Sequence, residues 1–184
     1  MTSGTMDIAV RRPADHPSFE DFVAATAASM HRTAVLLCGD HHLAEDLTQA
    51  AYTKVFASWT RVRAASDPVA YARTILVRTF LSHRRLRRAS ERPVDEVSEG
   101  AQPPDDPALR LDLLAVLRTL SSEDRTVLVL RFWEDRTVAE TAHLTGVSEA
   151  ACRQRTSRAL RRVRALMPHI DDPERVDETR AVQE

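Results

Sequence analysis

The sequence has little of what builds sheets, disulfide scaffolds or membrane spans. Its 184 residues include only 4 glycines and 5% aromatics, while the abundant Ala, Leu, Arg and Glu lose little rotamer freedom in a helix. The 2 cysteines, Cys38 and Cys152, lie far apart without a CxxC pair, which argues against a disulfide framework or a zinc module. No apolar run approaches the length of a membrane span or a signal-peptide core. We therefore expect an all-α, cytoplasmic protein without a membrane segment.

The formal net charge of −1 conceals an uneven distribution of charge. Residues 61–92 carry 9 basic and 2 acidic side chains, and residues 110–167 carry 11 and 7. Each basic segment is followed by an acidic one, because residues 93–109 hold 5 acidic and no basic side chains and residues 168–184 hold 6 and 2. Clustered arginines suit a phosphate backbone, so the two basic segments are candidate nucleic-acid surfaces.

Helix caps and prolines divide the sequence into two helical segments. Ser18, Asp40 and Asp67-Pro68 each predict a helix start, since these side chains accept a hydrogen bond from an unpaired backbone N–H. Thr60–Ser66 lacks helical periodicity and is predicted to be a loop. The predicted organisation is two small helical bundles joined by a flexible acidic linker: a disordered N-terminus (1–17), a first bundle (18–90), the linker (91–108), a second bundle (109–167) and an acidic tail (168–184).

Residues Thr137–Leu166 have the pattern of a helix-turn-helix. Ala142 and Gly146 provide a small residue for close helix contact and a backbone able to adopt positive φ, and Ser148 can cap the following helix. Projected at about 100° per residue, that helix has one apolar stripe. The stripe comprises Cys152, Thr156, Ala159, Leu160, Val163 and Leu166.

The opposite face of this helix is polar and rich in arginine. The N-terminal part of the second helix of a helix-turn-helix enters the major groove, so Arg153, Gln154 and Ser157 are the predicted base readers. Arg suits guanine and Gln suits adenine through bidentate hydrogen bonds. The remaining arginines are predicted to contact phosphates, which fixes position without reading sequence. They are Arg155, Arg158, Arg161 and Arg162.

Several strings resemble a known family, the extracytoplasmic-function (ECF) sigma factors of the sigma-70 family. Leu120–Asp135, Thr137–Ala142 and Thr156–Leu160 resemble its region four, which recognises the minus-35 promoter element. Gly39-Asp40, Ala44–Gln49 and Tyr71–Arg88 resemble its region two. Within these sigma factors, the sequence is especially similar to the actinobacterial group called the SigE family. Arg78 and Ala50 depart from it, since many relatives have Asn and Glu there.

The resemblance implies partners and roles for the first bundle. A member of this family binds core RNA polymerase, through the clamp helices of β′ and the flap of β, and promoter DNA; many are held by an anti-sigma factor. The Glu-Asp-Leu-x-Gln helix implies that Asp46, Gln49 and Thr53 bind polymerase. Region two melts the minus-10 element and holds the displaced strand, which requires cations. Its predicted contacts are Arg61, Arg63, Arg73, Arg78, Arg84 and Arg85.

Two other interpretations fit parts of the sequence. His41 with Glu45, and His42 with Asp46, are four residues apart and could share a metal-ligand face, but no third ligand or catalytic motif converges on them. We therefore expect no enzymatic activity, no metal and no cofactor. A DNA-binding regulator that does not join polymerase would explain Thr137–Leu166 equally well, yet it leaves the basic first bundle without a purpose.

Overall fold

The structure, a computed structural model, describes residues 17–90 and 111–167, and every regular element in these ranges is helical. The expected all-α fold, with its two groups of helices, is therefore confirmed. The predicted linker lies outside the described residues, as do the acidic tail and all but one residue of the predicted disordered N-terminus. The first bundle consists of α1 (Phe19–Cys38), α2 (His41–Ala57), α3 (Trp59–Arg63) and α4 (Pro68–Ser90). The second consists of α5 (Leu111–Thr119), α6 (Ser122–Leu128), a π-helical turn (Val129–Trp133), α7 (Val138–Thr145) and α8 (Glu149–Leu166).

The predicted caps start the helices of the first bundle. The Ser18 hydroxyl accepts a hydrogen bond from the backbone N–H of Asp21, and the Asp21 carboxylate accepts one from the backbone N–H of Ser18. Asp40 and Asp67 accept from the backbone N–H groups of the residues three further on, at 2.7 and 2.9 Å. Each cap satisfies a donor that the first helical turn leaves unpaired. Local sequence signals thus place three of the four helices in this bundle.

The prediction of a loop over Thr60–Ser66 is wrong for its first half. Residues Trp59–Arg63 form the short helix α3, and only the residues from Ala64 to Asp67 are non-helical. Helix α3 is stabilised by tertiary contacts, which the periodicity of the sequence does not reveal. Val62 is completely buried, and Trp59 packs against Phe22 with ring centroids 5.1 Å apart, so two side chains suffice to hold one helical turn against the bundle.

The two bundles are not separate bodies. Leu37 and Leu76 of the first bundle and Leu130 of the second are completely buried, and all three belong to one continuous apolar cluster. A smaller cluster of Val127, Ala142 and Cys152 lies within the second bundle. Helix α1 contacts both α6 and the π-helical turn, so it is central to both halves of the fold.

Two leucines of α4 provide a stability test, since Leu76 is completely buried and Leu86 is 71% exposed. We expect Leu76→Ala to lower the free energy of unfolding by about 2–5 kcal/mol, because it removes buried apolar surface and leaves a cavity. Leu86→Ala, the matched control, is expected to change it by less than about 0.5 kcal/mol. Urea unfolding followed by circular dichroism measures both, and similar losses for the two variants would contradict the burial described here.

Candidate nucleic-acid interface

The helix-turn-helix begins with a complete capping box. Thr137 Oγ1 accepts a hydrogen bond from the backbone N–H of Glu140 at 3.1 Å, and the carboxylate of Glu140 accepts one from the backbone N–H of Thr137 at 2.8 Å. The Thr137 hydroxyl also donates a hydrogen bond of 2.8 Å to the same carboxylate. The two hydrogen bonds that Thr137 donates, from its backbone first and then from its hydroxyl, lower the pKa of Glu140. The carboxylate therefore stays ionised at the positive end of the α7 dipole, which fixes where α7 starts.

Gly146 ends α7 and creates the turn. Its φ is +70°, and both its own N–H and that of Val147 bond to the carbonyl of Ala142. An added Cβ at Gly146 would meet no atom within 4 Å. Glycine is thus required for its left-handed backbone and not for space. Ser148 then caps α8 through the N–H of Ala151 at 3.2 Å, so the turn predicted from the sequence is present.

The buried and exposed faces of α8 follow the predicted pattern except at its end. Cys152, Ala159 and Val163 are buried, whereas Arg153, Gln154 and Ser157 are exposed on the other side. Arg161 and Arg162 are exposed too, and Arg155 is half-buried at the edge of the packed face. The exception is Leu166, which was expected in the apolar stripe but is 52% exposed, because it lies in the last helical turn.

One predicted base reader is held by a residue that the sequence analysis did not single out. The guanidinium of Arg153 lies 2.7 Å from the carboxylate of Glu149, one turn earlier on α8, and both side chains are exposed. An exposed pair of this kind contributes little stability. The contact restricts the rotamers of Arg153 on the exposed face of α8. It also places the Glu149 carboxylate, an acceptor suited to cytosine, beside the Arg153 guanidinium, a donor suited to guanine.

Arg158 behaves differently from the other arginines of α8. Its guanidinium forms two hydrogen bonds to the carboxylate of Asp124 on α6, at 2.7 and 3.2 Å. The side chain of Asp124 is only 3% exposed, and these hydrogen bonds raise the pKa of Arg158. At the start of α6, Ser121 accepts a hydrogen bond from the backbone N–H of Asp124, but the Asp124 carboxylate bonds to Arg158 and so does not complete a capping box. Arg158 joins α8 to α6.

The first bundle presents its arginines along α3 and α4. Arg61 and Arg63 are exposed at the end of α3, and Arg78 and Arg85 are exposed on α4. Arg73 and Arg84, also on α4, are half-buried against carboxylates of the second bundle. A cleft of about 490 Å³ separates α4 from α7 and the following turn. Its charged lining consists of Arg78, Arg84 and Arg85, with His143 facing them, so its potential favours anions.

Helix α2 has one exposed polar face and one buried apolar face. Asp46, Gln49 and Thr53 are exposed, while Ala44, Leu47 and Ala51 are buried. The exposed residues are three and four positions apart, which places them on a single stripe of the helix. No group of three or more potential metal ligands occurs among the described residues, so the histidines of α2 acquire no third ligand there.

Comparisons with known proteins identify the family. Residues 22–90 match the family Sigma-70 region 2, and residues 116–165 match Sigma-70, region 4. The chain is 32% identical over 150 residues to the RNA polymerase sigma-E factor of Streptomyces coelicolor, an alignment that covers 79% of this chain and 84% of the relative. This chain belongs to the sigma-70 family, as a sigma factor of the ECF type.

Other relatives extend the similarity. The RNA polymerase sigma factor CarQ of Myxococcus xanthus is 30% identical over 159 residues, which cover 84% of this chain and 91% of CarQ. The sigma factor RpoE of Bartonella quintana, solved in complex with the anti-sigma factor NepR, has a similar fold, with a TM-score of 0.59 at 22% identity over 83% of this chain and 98% of that one. The predicted family is thus confirmed, and this sigma factor binds RNA polymerase core to direct transcription initiation.

Membership in the family also decides between the two DNA-binding interpretations. A regulator that does not join polymerase would need only the helix-turn-helix, which lies within the region 4 match. The region 2 match covers all four helices of the first bundle apart from the first residues of α1.

None of the described helices combines the length and apolarity that a membrane span requires.

Gly146 allows the turn of this sigma factor to be tested. We expect Gly146→Ala to lower the free energy of unfolding by about 1–2 kcal/mol, because a Cβ is strained at φ +70° although nothing there would clash with it. Gly146→Asn is the matched control and is expected to lose less, since Asn tolerates the left-handed region. Urea unfolding monitored by circular dichroism gives both values; an equal loss for the two variants would mean that the backbone conformation is not what requires glycine.

Proposed function

We propose that the two bundles read the two elements of one promoter, with α8 on the minus-35 element and α3 with α4 on the minus-10 element. The observation that supports it most directly is the exposed face of α8. Arg153, Gln154 and Ser157 lie in the N-terminal half of this helix, opposite the residues that pack it onto α6 and α7. A helix-turn-helix inserts that part of its second helix into the major groove.

In this proposal the arginines of α8 have different roles. Arg153 and Gln154 read bases, with Glu149 restraining Arg153 through its 2.7 Å contact. Arg155, Arg161 and Arg162 contact phosphates. Arg158 stabilises the packing of α8 on α6, because its guanidinium is bonded to the buried carboxylate of Asp124. Removing it would leave that carboxylate without its charged partner, which is costly for a buried group.

For the minus-10 element, the proposal assigns six arginines of the first bundle to the melted strand. Arg61 and Arg63 are exposed on α3, and Arg61 lines a pocket together with Phe56 and Trp59. Aromatic side chains near cations suit single-stranded DNA, because bases stack while phosphates pair. Arg73, Arg78, Arg84 and Arg85 extend this basic surface along α4.

The polar face of α2 is the proposed contact with the β′ clamp helices. Asp46, Gln49 and Thr53 are exposed there, and the flap of β is the second contact, on the second bundle. We extend the proposal to an anti-sigma factor, since the Bartonella quintana protein of similar fold is bound to one. In this proposal the chain acts as an initiation factor and not as an enzyme. It acts in the cytoplasm, where polymerase binds the chromosome.

Run-off transcription tests the proposal as a whole. Purified core polymerase with this chain is expected to initiate at specific sites of a genomic promoter library, and core alone is not. Asp46→Ala is expected to weaken core binding about tenfold or more, because it removes a charge at the proposed interface. The matched control is Glu20→Ala, an exposed acid on α1. Absence of specific transcripts across the library, or equal loss in both variants, would contradict the proposal.

The division of labour on α8 is tested on a promoter found in this way. Arg153→Ala is expected to cost about 1–3 kcal/mol at one minus-35 base pair and to relax the preference there, because a base-edge contact is lost. Arg161→Ala is the matched control, expected to weaken binding to all minus-35 sequences alike and to flatten the salt dependence. Binding is measured with polymerase holoenzyme on base-substituted promoters. Equal behaviour of the two variants would remove the distinction between base and phosphate contacts.

A further inference from the structure

Glu149 is the one acidic residue of α8. The same helix contains six arginines, and Glu149 is its first residue, directly after the cap Ser148. A carboxylate at the end of a helix that approaches DNA repels the phosphates, so it lowers the affinity for DNA of any sequence. This cost requires a compensating contribution from Glu149, either to the stability of the helix or to the recognition of particular bases.

Glu149 lies on the same stripe of α8 as two of the proposed base readers. Glu149, Arg153 and Ser157 are four residues apart along the helix, which places them above one another, and all three are exposed. At a rise of about 1.5 Å per residue, four residues span about 6 Å, or about two base-pair steps. The side chains of Glu149 and Arg153 can therefore reach neighbouring base pairs when α8 lies in the major groove.

The contact between Glu149 and Arg153 leaves both groups able to bind bases. It joins Arg153 Nη2 to Glu149 Oε2 at 2.7 Å. A carboxylate has a second oxygen that accepts, and a guanidinium has five N–H donors. The two side chains are 51% and 57% exposed, so a base edge has access to both. Glu149 Oε1 can accept from a base while Oε2 holds Arg153 in position.

The major-groove edges of the bases determine which of them a carboxylate can bind. Cytosine presents the N4 amino group, which is a donor, whereas guanine presents two acceptors and thymine presents one acceptor and a methyl group. Adenine presents a donor beside an acceptor. Because an ionised carboxylate only accepts, it gains a hydrogen bond from cytosine and is repelled by guanine O6 and thymine O4.

Helix stability provides another explanation for an acid at this position. A carboxylate in the first turn interacts favourably with the helix dipole, and an exposed pair four residues apart stabilises a helix slightly. Both effects are the same whatever DNA is bound. Sequence preference is therefore the property that distinguishes recognition by Glu149 from a purely structural role.

We propose that Glu149 is a specificity-determining residue, which selects cytosine in the minus-35 element within about two base pairs of the guanine that Arg153 reads. The inference rests on the proposed function, because it requires α8 to lie in the major groove of that element. Glu149 attracts the amino group of cytosine and repels bases that present acceptors. The repulsion contributes as much as the attraction, since specificity is a difference between two affinities.

Selection from a randomised promoter library tests this inference. The library is a promoter found by run-off transcription, with its minus-35 element randomised, and polymerase holoenzyme with the full chain selects from it. The parent chain is expected to prefer cytosine over thymine about tenfold at one position. In Glu149→Gln the preference is expected to fall below about threefold and adenine to gain, because glutamine keeps the length, loses the charge and suits adenine.

The double variant separates reading by Glu149 from positioning of Arg153. If Glu149 reads its own base, Arg153→Ala loses the preference for guanine but keeps the preference for cytosine, and adding Glu149→Gln removes the second preference as well. If Glu149 only orients Arg153, Glu149→Gln changes nothing further in the Arg153→Ala background. The second outcome would overturn the proposal.

Asp135→Asn is the matched control for the loss of one negative charge. Asp135 is an exposed acid of the same bundle that lies between the π-helical turn and α7, and Asn tolerates its positive φ of +50°. This variant is expected to leave every base preference unchanged. Circular dichroism checks that both variants fold, which their exposed positions favour.

The outcomes distinguish failure of this inference from failure of the proposed function. A preference for guanine that depends on Arg153, together with unchanged or uniformly shifted preferences in Glu149→Gln, would overturn the role of Glu149 alone. The same change at one position in Asp135→Asn would also overturn it, because the effect would then be one of net charge. A parent chain without any minus-35 preference, unaffected by Arg153→Ala, would overturn the reading of this element by α8 as well.

Discussion

The fold depends on how α1 ends. Any helix leaves its last carbonyl groups without internal partners, and here Gly39, with φ +76°, turns the chain away so sharply that α2 starts at once. The carbonyls of Leu37, Cys38 and Gly39 are consequently available, and Arg118 and Arg125 of the second bundle bond to them. A local backbone requirement of the first bundle thereby creates the contact that holds the second.

Burial follows from the same contact. Arg125 is desolvated at this interface, which lowers the pKa of its guanidinium, and burial raises the pKa of the neighbouring Cys38 thiol to about 11. The Cys38 thiol therefore stays protonated at neutral pH and donates a hydrogen bond to the carbonyl of Asp40 at 3.0 Å. The ionised Arg125 is surrounded by helix carbonyls and a neutral thiol, so its partners are dipoles and not an opposing full charge. This contact is therefore not an ion pair that salt would readily screen.

The sequence predicts whatever is encoded within a few residues. The caps at Ser18, Asp40 and Asp67, the turn at Gly146 and the two faces of α8 are all local patterns, and the structure contains them. Thr33 and Glu134 are about 100 positions apart and carry no periodic or capping signal, so nothing in the sequence joins them. Arg158 illustrates the limit within one helix: its place on the polar face was predicted, but its partner Asp124 is set by how α8 crosses α6.

Arginine is suited to contacts with several kinds of hydrogen-bond acceptor. Its guanidinium offers five donors in a planar fork and stays charged at every physiological pH, so it can bind a carboxylate, a row of helix carbonyls or a phosphate without a change of ionisation. Arg73 and Arg84 approach carboxylates at 3.8 and 3.4 Å, looser than the 2.7 Å of Arg158 with Asp124. The looser pairs join the two bundles, whereas the tight bidentate pair lies inside one of them. The strong contact thus holds α6 and α8 together as a unit, and the weaker ones lie between the two bundles.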